Sequence, residues 1–211
     1  MLIQMEFSVT GFEVGPIAAN CYILKDNNSR EGIVIDPGGN PDTILASIKD
    51  QDVEVKLIAL THGHFDHIGG VKELKKSLKV PVAIHAADGD MLTDGKKNLS
   101  AFMGVAKEMD AADILLQDGD NISFGSCNLQ VIATPGHTKG GVCFYGGGAL
   151  FSGDTLFAGS IGRTDFPDGS LDDILDSIRN KLSKVSDATK VFPGHGPASV
   201  MGVERESNPF F

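Results

Sequence analysis

The sequence predicts an α/β protein whose sheets are covered by helices, in an α/β or αββα layering. Short continuous apolar runs alternate with amphipathic stretches, as buried strands alternate with surface helices. Five of those runs end abruptly in turn residues plus a polar group. The 26 glycines among 211 residues imply many sharp turns. A chain of this length buries roughly 70% of its unfolded surface, so its core needs no disulfide or metal to hold it. No low-complexity tract or Pro/Ser-rich linker divides it, and one domain over residues 1–211 is expected.

The elements follow in order. Ile33-Val34-Ile35 runs into Asp36-Pro37-Gly38. Asn40 can then cap a helix with Pro41 at its first position, burying Ile44, Leu45 and Ile48. Leu57-Ile58-Ala59-Leu60 ends in Thr61-His62. After Asp66 a second helix carries Ile68, Val71, Leu74 and Leu78 on one face, with Lys72, Lys75, Lys76 and Lys79 solvated. Cys127–Ala133 and Gly141–Tyr145 read as strands of a mixed sheet, the first ending in Thr134-Pro135-Gly136-His137. Ala149-Leu150-Phe151 ends in Ser152-Gly153-Asp154. Ser170 and Asp173 form a capping box ahead of Leu171, Ile174, Leu175, Ile178 and Leu182 at helical spacing. Val191-Phe192 closes the series, ending in Pro193-Gly194-His195. Polar groups at successive strand ends converge on one sheet edge, and an active site belongs there.

Composition removes several classes of function. With 18 Lys+Arg against 28 Asp+Glu, the formal charge is −10, which argues against a general binder of nucleic acid or anionic membrane. A mean hydropathy near zero excludes disordered, fibrous and membrane-spanning classes. The N-terminal MLIQMEFSVTG lacks the basic region, apolar run and small-residue cleavage site of a signal peptide. Cys21, Cys127 and Cys143 are odd in number with no C-x-x-C pair, and read as reduced thiols. A cytoplasmic protein is expected.

Five of the six histidines fall directly after strand ends. His62, His64 and His67 occupy THGHFDH together with Asp66. In an extended segment residues i and i+2 point the same way, so His62 and His64 can grip one ion. Asp66 and His67 sit at the turn into a helix and can hold a second ion nearby. His137 and His195 each follow Pro-Gly, a turn that fixes the imidazole direction. Asp154 brings two carboxylate oxygens, able to bridge two ions. These are seven ligands: three for each cation and one shared. His85, in VAIHA, belongs to no such unit and reads as an ordinary core or capping histidine.

The H-x-H-x-D-H motif, PGHT, GDTLF and PGHG, in this order, resemble the metallo-β-lactamase-fold hydrolases. LFAGSIGRTDFPDGS and the ending ERESNPFF resemble their short, single-domain, glyoxalase-II-like branch. The resemblance implies an αββα sandwich, two mixed sheets flanked by helices, with the site at one edge. It implies that His62, His64 and His137 bind one metal, that Asp66, His67 and His195 bind the other, and that Asp154 bridges. Asp36, in IDPGG, would orient a ligating histidine, a role compatible with a plain Asp-Pro-Gly turn. Two divalent cations follow, zinc foremost, with iron or manganese suited to the same ligands.

The activity implied is hydrolysis of a small-molecule thioester, a hydroxyacyl-glutathione such as lactoylglutathione. A hydroxide held between the cations, with Asp66 and Asp154 around it, would be the nucleophile. A thiolate leaving group needs no dedicated acid. The chain stops about 16 residues after His195, so the C-terminal helical domain that carries glutathione contacts in long members is expected to be missing. Arg163, in GRTDFP, is the local candidate for a substrate carboxylate, its other reading being a salt bridge to Asp165 or a bond to a backbone carbonyl. The ERESNPFF tail either borders the substrate or packs Phe210 and Phe211 over apolar surface. The alternative activities are a persulfide dioxygenase with one iron on His62, His137 and Asp154, and a nuclease, which the low pI disfavours. A non-catalytic metal-binding module is disfavoured by the complete ligand set. A secreted β-lactamase is disfavoured by Asp154 and the missing signal peptide. No nucleic-acid or membrane partner is expected, and oligomeric state is left open.

Overall fold

The computed structural model describes residues 5–104 and 109–211, and its strands form two six-stranded sheets lying face to face. The first sheet contains, in spatial order, β1 (Phe7–Val14), β2 (Ala19–Asp26), β3 (Glu31–Ile35), β4 (Glu54–Ala59), β5 (Val82–His85) and β6 (Ile114–Leu116). Its first three strands pair antiparallel and its last four parallel. The second sheet is built from β7 (Asn121–Phe124), β8 (Cys127–Ala133), β9 (Val142–Gly146), β10 (Ala149–Gly153), β13 (Lys190–Pro193) and β14 (Ser199–Val200). Only its β10–β13 pair is parallel. Both sheets are mixed. A small hairpin, β11 (Leu156–Phe157) and β12 (Ser160–Ile161), stands apart.

Alternation along each strand divides the apolar side chains between two faces. In the first sheet Tyr22, Leu24, Ile33 and Ile35 face inward and join Leu129, Val131, Phe144 and Phe151 of the second sheet in the central core. Their neighbours Ile23, Val34, Ile58 and Ile84 face outward, under α1 (Pro41–Asp50), α2 (Phe65–Ile68) and α3 (Val71–Leu78). On the far side Cys143, Leu150 and Val191 meet Ile174 of α4 (Leu171–Asp176) and Met201 of α5 (Met201–Ser207). The layering is αββα. Burying each of these large side chains stabilises the fold by about 1.5–3 kcal/mol, which is why strands with apolar residues on both faces take the central positions. Among the described residues no helix is long and apolar enough to cross a membrane. Cys21, Cys127 and Cys143 are buried and free.

The helices depart from expectation at three points. Asn40 precedes α1 but its side chain caps nothing in the helix: its backbone is left-handed, at φ 49°, and its Oδ1 accepts from Gly15 N at 2.8 Å. Its carbonyl instead receives the amides of Thr43 and Ile44, and only Ile44 and Ile48 become fully buried. The helix expected after Asp66 starts at Phe65 and breaks in two, because Gly70 N donates to the Pro37 carbonyl at 2.7 Å. Ser170 does accept from Asp173 N, at 3.2 Å, but its own N–H goes to Gly136 O rather than back to Asp173. Beyond Asp176 that helix widens into one π turn and then tightens into a 3-10 turn, while Ile178 and Leu182 remain in the core.

Candidate metal centre

Strand direction assembles the site. β3 and β4 run parallel, and β8, β10 and β13 share one direction, so the polar residues after all five meet at one edge. The sheets are tied there by Asn20 N to Gly194 O at 2.7 Å and by Val142 N to Thr61 O at 2.9 Å. Two close approaches need glycine. A Cβ at Gly38 would lie 1.6 Å from Asp66 O. Gly153, at φ +48°, would press a Cβ to 2.5 Å from Thr61 Oγ1.

His62, His64 and His137 present ring nitrogens within 4.8 Å of one another. Asp66, His67 and His195 form a second such group, and His62, His67 and Asp154 a third that overlaps both. Asp154 stands between them. Its Oδ1 lies 3.4 Å from His67 Nε2, and its Oδ2 lies 3.5 Å from His137 Nε2 and 3.7 Å from His195 Nε2. All seven residues expected as ligands are therefore in one cluster.

The surroundings settle which nitrogen faces inward. Asp36, left-handed at φ 49°, accepts Thr61 N at 2.8 Å and the Thr61 hydroxyl at 2.6 Å. The same carboxylate takes the His67 Nδ1 proton at 3.0 Å. Because the Thr61 hydroxyl spends its proton on Asp36, it accepts from His62 Nδ1 at 3.1 Å. His137 Nδ1 donates to the Arg163 carbonyl at 2.7 Å. With Nδ1 engaged in this way in His62, His67 and His137, the ring nitrogen that each turns into the cluster is Nε2. Asp36 does orient a site histidine, as expected, and orients a second through Thr61.

Electrostatics favour a cation at this edge. Burial pushes His62 well below the ordinary histidine value, and the neighbouring imidazoles add to the effect. Burial likewise pushes His64 down to about 3. Both offer unprotonated nitrogen at neutral pH. For His67 burial opposes charge, but the carboxylates of Asp66, Asp154 and Asp36 outweigh it and raise its pKa. For Asp66 burial opposes ionisation, and His67 with His195 overcomes it, holding the carboxyl below the usual range. Buried His62 Nε2 and Asp154 Oδ1 have no hydrogen-bond partner. An unpartnered buried donor or acceptor is costly, by about 1–3 kcal/mol. A divalent cation on nitrogen and carboxylate ligands removes that cost, so the residues fit two such ions.

Other residues fall outside the cluster or were not foreseen. His85 accepts Ala87 N at 3.3 Å, capping a short 3-10 segment, and belongs to none of the three groups. The Arg163 guanidinium forms a bidentate pair with Asp165, at 2.9 and 2.8 Å, and lies 4.5 Å over the Phe166 ring. The salt bridge of its second reading is present. The tail is packed: Glu204 accepts Gly159 N at 2.8 Å, Asn208 bonds to Phe157 O and Ser160 O, and Phe211 lies against the core. Asp88 was missed. It is buried and accepts Gly63 N (3.2 Å), Thr138 Oγ1 (2.7 Å) and Gly140 N (2.6 Å), bracing the H-x-H loop against the Pro-Gly-His loop. Its only sequence signal is an acidic residue just after a strand end.

Residues 14–195 match the metallo-beta-lactamase superfamily. The chain is 33% identical over 212 residues to the hydroxyacylglutathione hydrolase GloC of Haemophilus influenzae, across 94% of this chain and 96% of that protein. It superposes on the BLEG-1 B3 metallo-beta-lactamase with a TM-score of 0.91 at 35% identity, over 96% of this chain and 99% of the other. The di-iron-bound form of TTHA1623 superposes with a TM-score of 0.84, also at 35% identity, over 96% and 100%. In sequence and in fold alike, the chain belongs to the metallo-β-lactamase superfamily.

Proposed function

We propose that the chain is a binuclear metallohydrolase that cleaves thioesters, with hydroxyacyl-glutathione or a related acyl thioester as substrate. The observation that carries this reading is the seven-residue cluster, with His62 Nε2 and Asp154 Oδ1 buried at its centre without a hydrogen-bond partner. His62, His64 and His137 would hold one cation and Asp66, His67 and His195 the other, with Asp154 shared. Bound there, two cations supply Lewis acidity and water activated at neutral pH. Zinc or iron suits the ligands, and a similar chain is known with two irons.

The chain's own residues prepare that chemistry. Asp36, Thr61 and the Arg163 carbonyl fix ring tautomers, and burial keeps His62 and His64 unprotonated. In the reaction the acyl carbon gains the oxygen of water and the C–S bond breaks, giving a carboxylate and a thiol. Sulfur leaves as a thiolate of moderate pKa, which needs less acid assistance than the amine of an amide. The activity named for the Haemophilus relative supports the same bond type.

Thiol release from lactoylglutathione by the metal-loaded chain tests the reading. Saturable release is expected. No release from any thioester with both metals bound would overturn it, and oxygen uptake with glutathione persulfide would replace it with the dioxygenase.

A further inference from the structure

The mouth of the metal centre continues into an apolar cleft. Phe65, Leu99, Phe102, Met103, Phe166 and Pro167 line a space of about 400 Å³, and His64 lines the adjoining one of about 250 Å³. Phe166 makes the connection. Its ring stands edge-on to His64 at 5.4 Å and to His137 at 5.9 Å. Three of the large apolar side chains exposed on this molecule gather here: Ile17 at 46%, Phe102 at 76% and Met103 at 58%. Apolar side chains grouped around a concave site mark where an apolar group binds.

The cleft is also built rather than incidental. Leu99 lines it from a left-handed backbone, φ 68°, that a branched side chain rarely adopts. Asn98, one residue before, accepts Phe65 N on its carbonyl at 2.9 Å, which anchors the segment beside Asp66. Three of the cations around the mouth are already matched, while Lys96, which also lines it, has no ion pair among the described residues. Arg163 pairs with Asp165, Lys139 with Asp168 at 2.8 Å, and Lys97 with Asp90. A polar tripeptide carrying two carboxylates finds one such ammonium, Lys96, on this surface, whereas a hydrocarbon chain gains from every methylene buried along the six apolar residues.

We propose that this cleft receives the acyl group of the substrate, so that the site acts on thioesters of aliphatic or aryl acids in preference to short hydroxy acids. The proposal rests on the thioester reading above. The carbonyl carbon stays at the cluster, the acyl chain runs past Phe166 toward Phe102, and the thiol lies outside.

The test is a series of acyl thioesters on one small thiol, N-acetylcysteamine, from acetyl to hexanoyl plus phenylacetyl, cleaved by the metal-loaded chain. Each methylene should raise kcat/KM by about 3-fold, reaching on the order of 100-fold from acetyl to hexanoyl. Exposed Phe102 can be changed without threatening the fold, and Phe102→Ser or Met103→Ser should lower the hexanoyl-to-acetyl ratio severalfold. Calorimetric binding of the uncleavable S-methyl and S-hexyl thioethers of that thiol gives a second reading without turnover. Cleavage that is indifferent to acyl length overturns the cleft proposal and leaves the thioesterase intact. Dependence on the length of the thiol instead of the acyl chain also overturns it. Tighter binding of the hexyl thioether, weakened by Phe102→Ser but without cleavage of any thioester, supports the cleft and overturns the reaction.

Discussion

Asp36 shows how much of this site depends on a residue outside the three ligand groups. Its Oδ2 takes protons from both Thr61 Oγ1 and His67 Nδ1, and its Oδ1 takes Thr61 N. In Asp36→Asn, whichever way the amide turns, its NH₂ meets a donor. If that donor is His67, the ring must move its proton to Nε2 and present N–H to the cluster. Metal affinity should fall about 10- to 100-fold, measured by chelator competition. His85→Gln serves as the contrast and should leave affinity unchanged, because His85 Nδ1 accepts the Ala87 amide and the residue belongs to none of the three groups. Equal affinities for wild type and Asp36→Asn would refute the orienting role.

At the level of elements, the loops after the strands must be held against one another, and Asp88 does this for two of them. It rides on a short 3-10 segment after β5 and reaches residues 25, 50 and 52 positions away. Asp88→Ala strands two amides and a hydroxyl without an acceptor, at about 1–3 kcal/mol for each that stays unsatisfied. Urea unfolding should show a loss of about 2–4 kcal/mol. A loss below about 0.5 kcal/mol, the range of an ordinary surface change, would mean that water or a shifted loop replaces it. The contrast with the ligands explains what could be read beforehand. Buried strands leave continuous apolar runs, and THGHFDH and the two Pro-Gly-His turns concentrate rare residues at their ends, so strands and cluster were legible. The three bonds that Asp88 accepts come from residues at least 25 positions away, so no local pattern announces it. The break at Gly70 was hidden for the same reason, since the carbonyl that stops the helix belongs to Pro37. The cleft was hidden too, being assembled from residues near Phe65, Leu99 and Phe166 that only the fold brings together.

Over the whole molecule, the two sheets are joined at both ends of β2. At the site end Asn20 bonds Gly194 and Ala19 bridges to His195. At the other end Asp26 accepts Asn28 N, Ser29 Oγ, Ser126 N and Ser126 Oγ, which links the β2–β3 turn to the β7–β8 turn. These donors, the Asn28 and Ser126 amides first, hold the Asp26 carboxyl below the ordinary carboxylate range. A depressed pKa stabilises the fold above about pH 4 and the effect is lost as pH falls through the folded value. Asp26→Asn should therefore be less stable than wild type at pH 7 in urea, with the gap closing below about pH 4; a gap constant with pH would contradict this. Cations would add a further link, since His62, His64, Asp66 and His67 follow the first sheet while His137, Asp154 and His195 follow the second. A metal at 1,000 times its Kd adds about 4 kcal/mol, so chelation should lower Tm by several degrees.

The binuclear centre is the central claim, and metal content per chain, measured alongside thioester turnover, tests it most directly. Wild-type protein should bind two equivalents of zinc or iron at full activity, and Asp154→Ala, having lost the carboxylate that faces both groups, should retain less than one and cleave nothing. A fully active wild type holding a single equivalent, or an Asp154→Ala protein that keeps two, would contradict it.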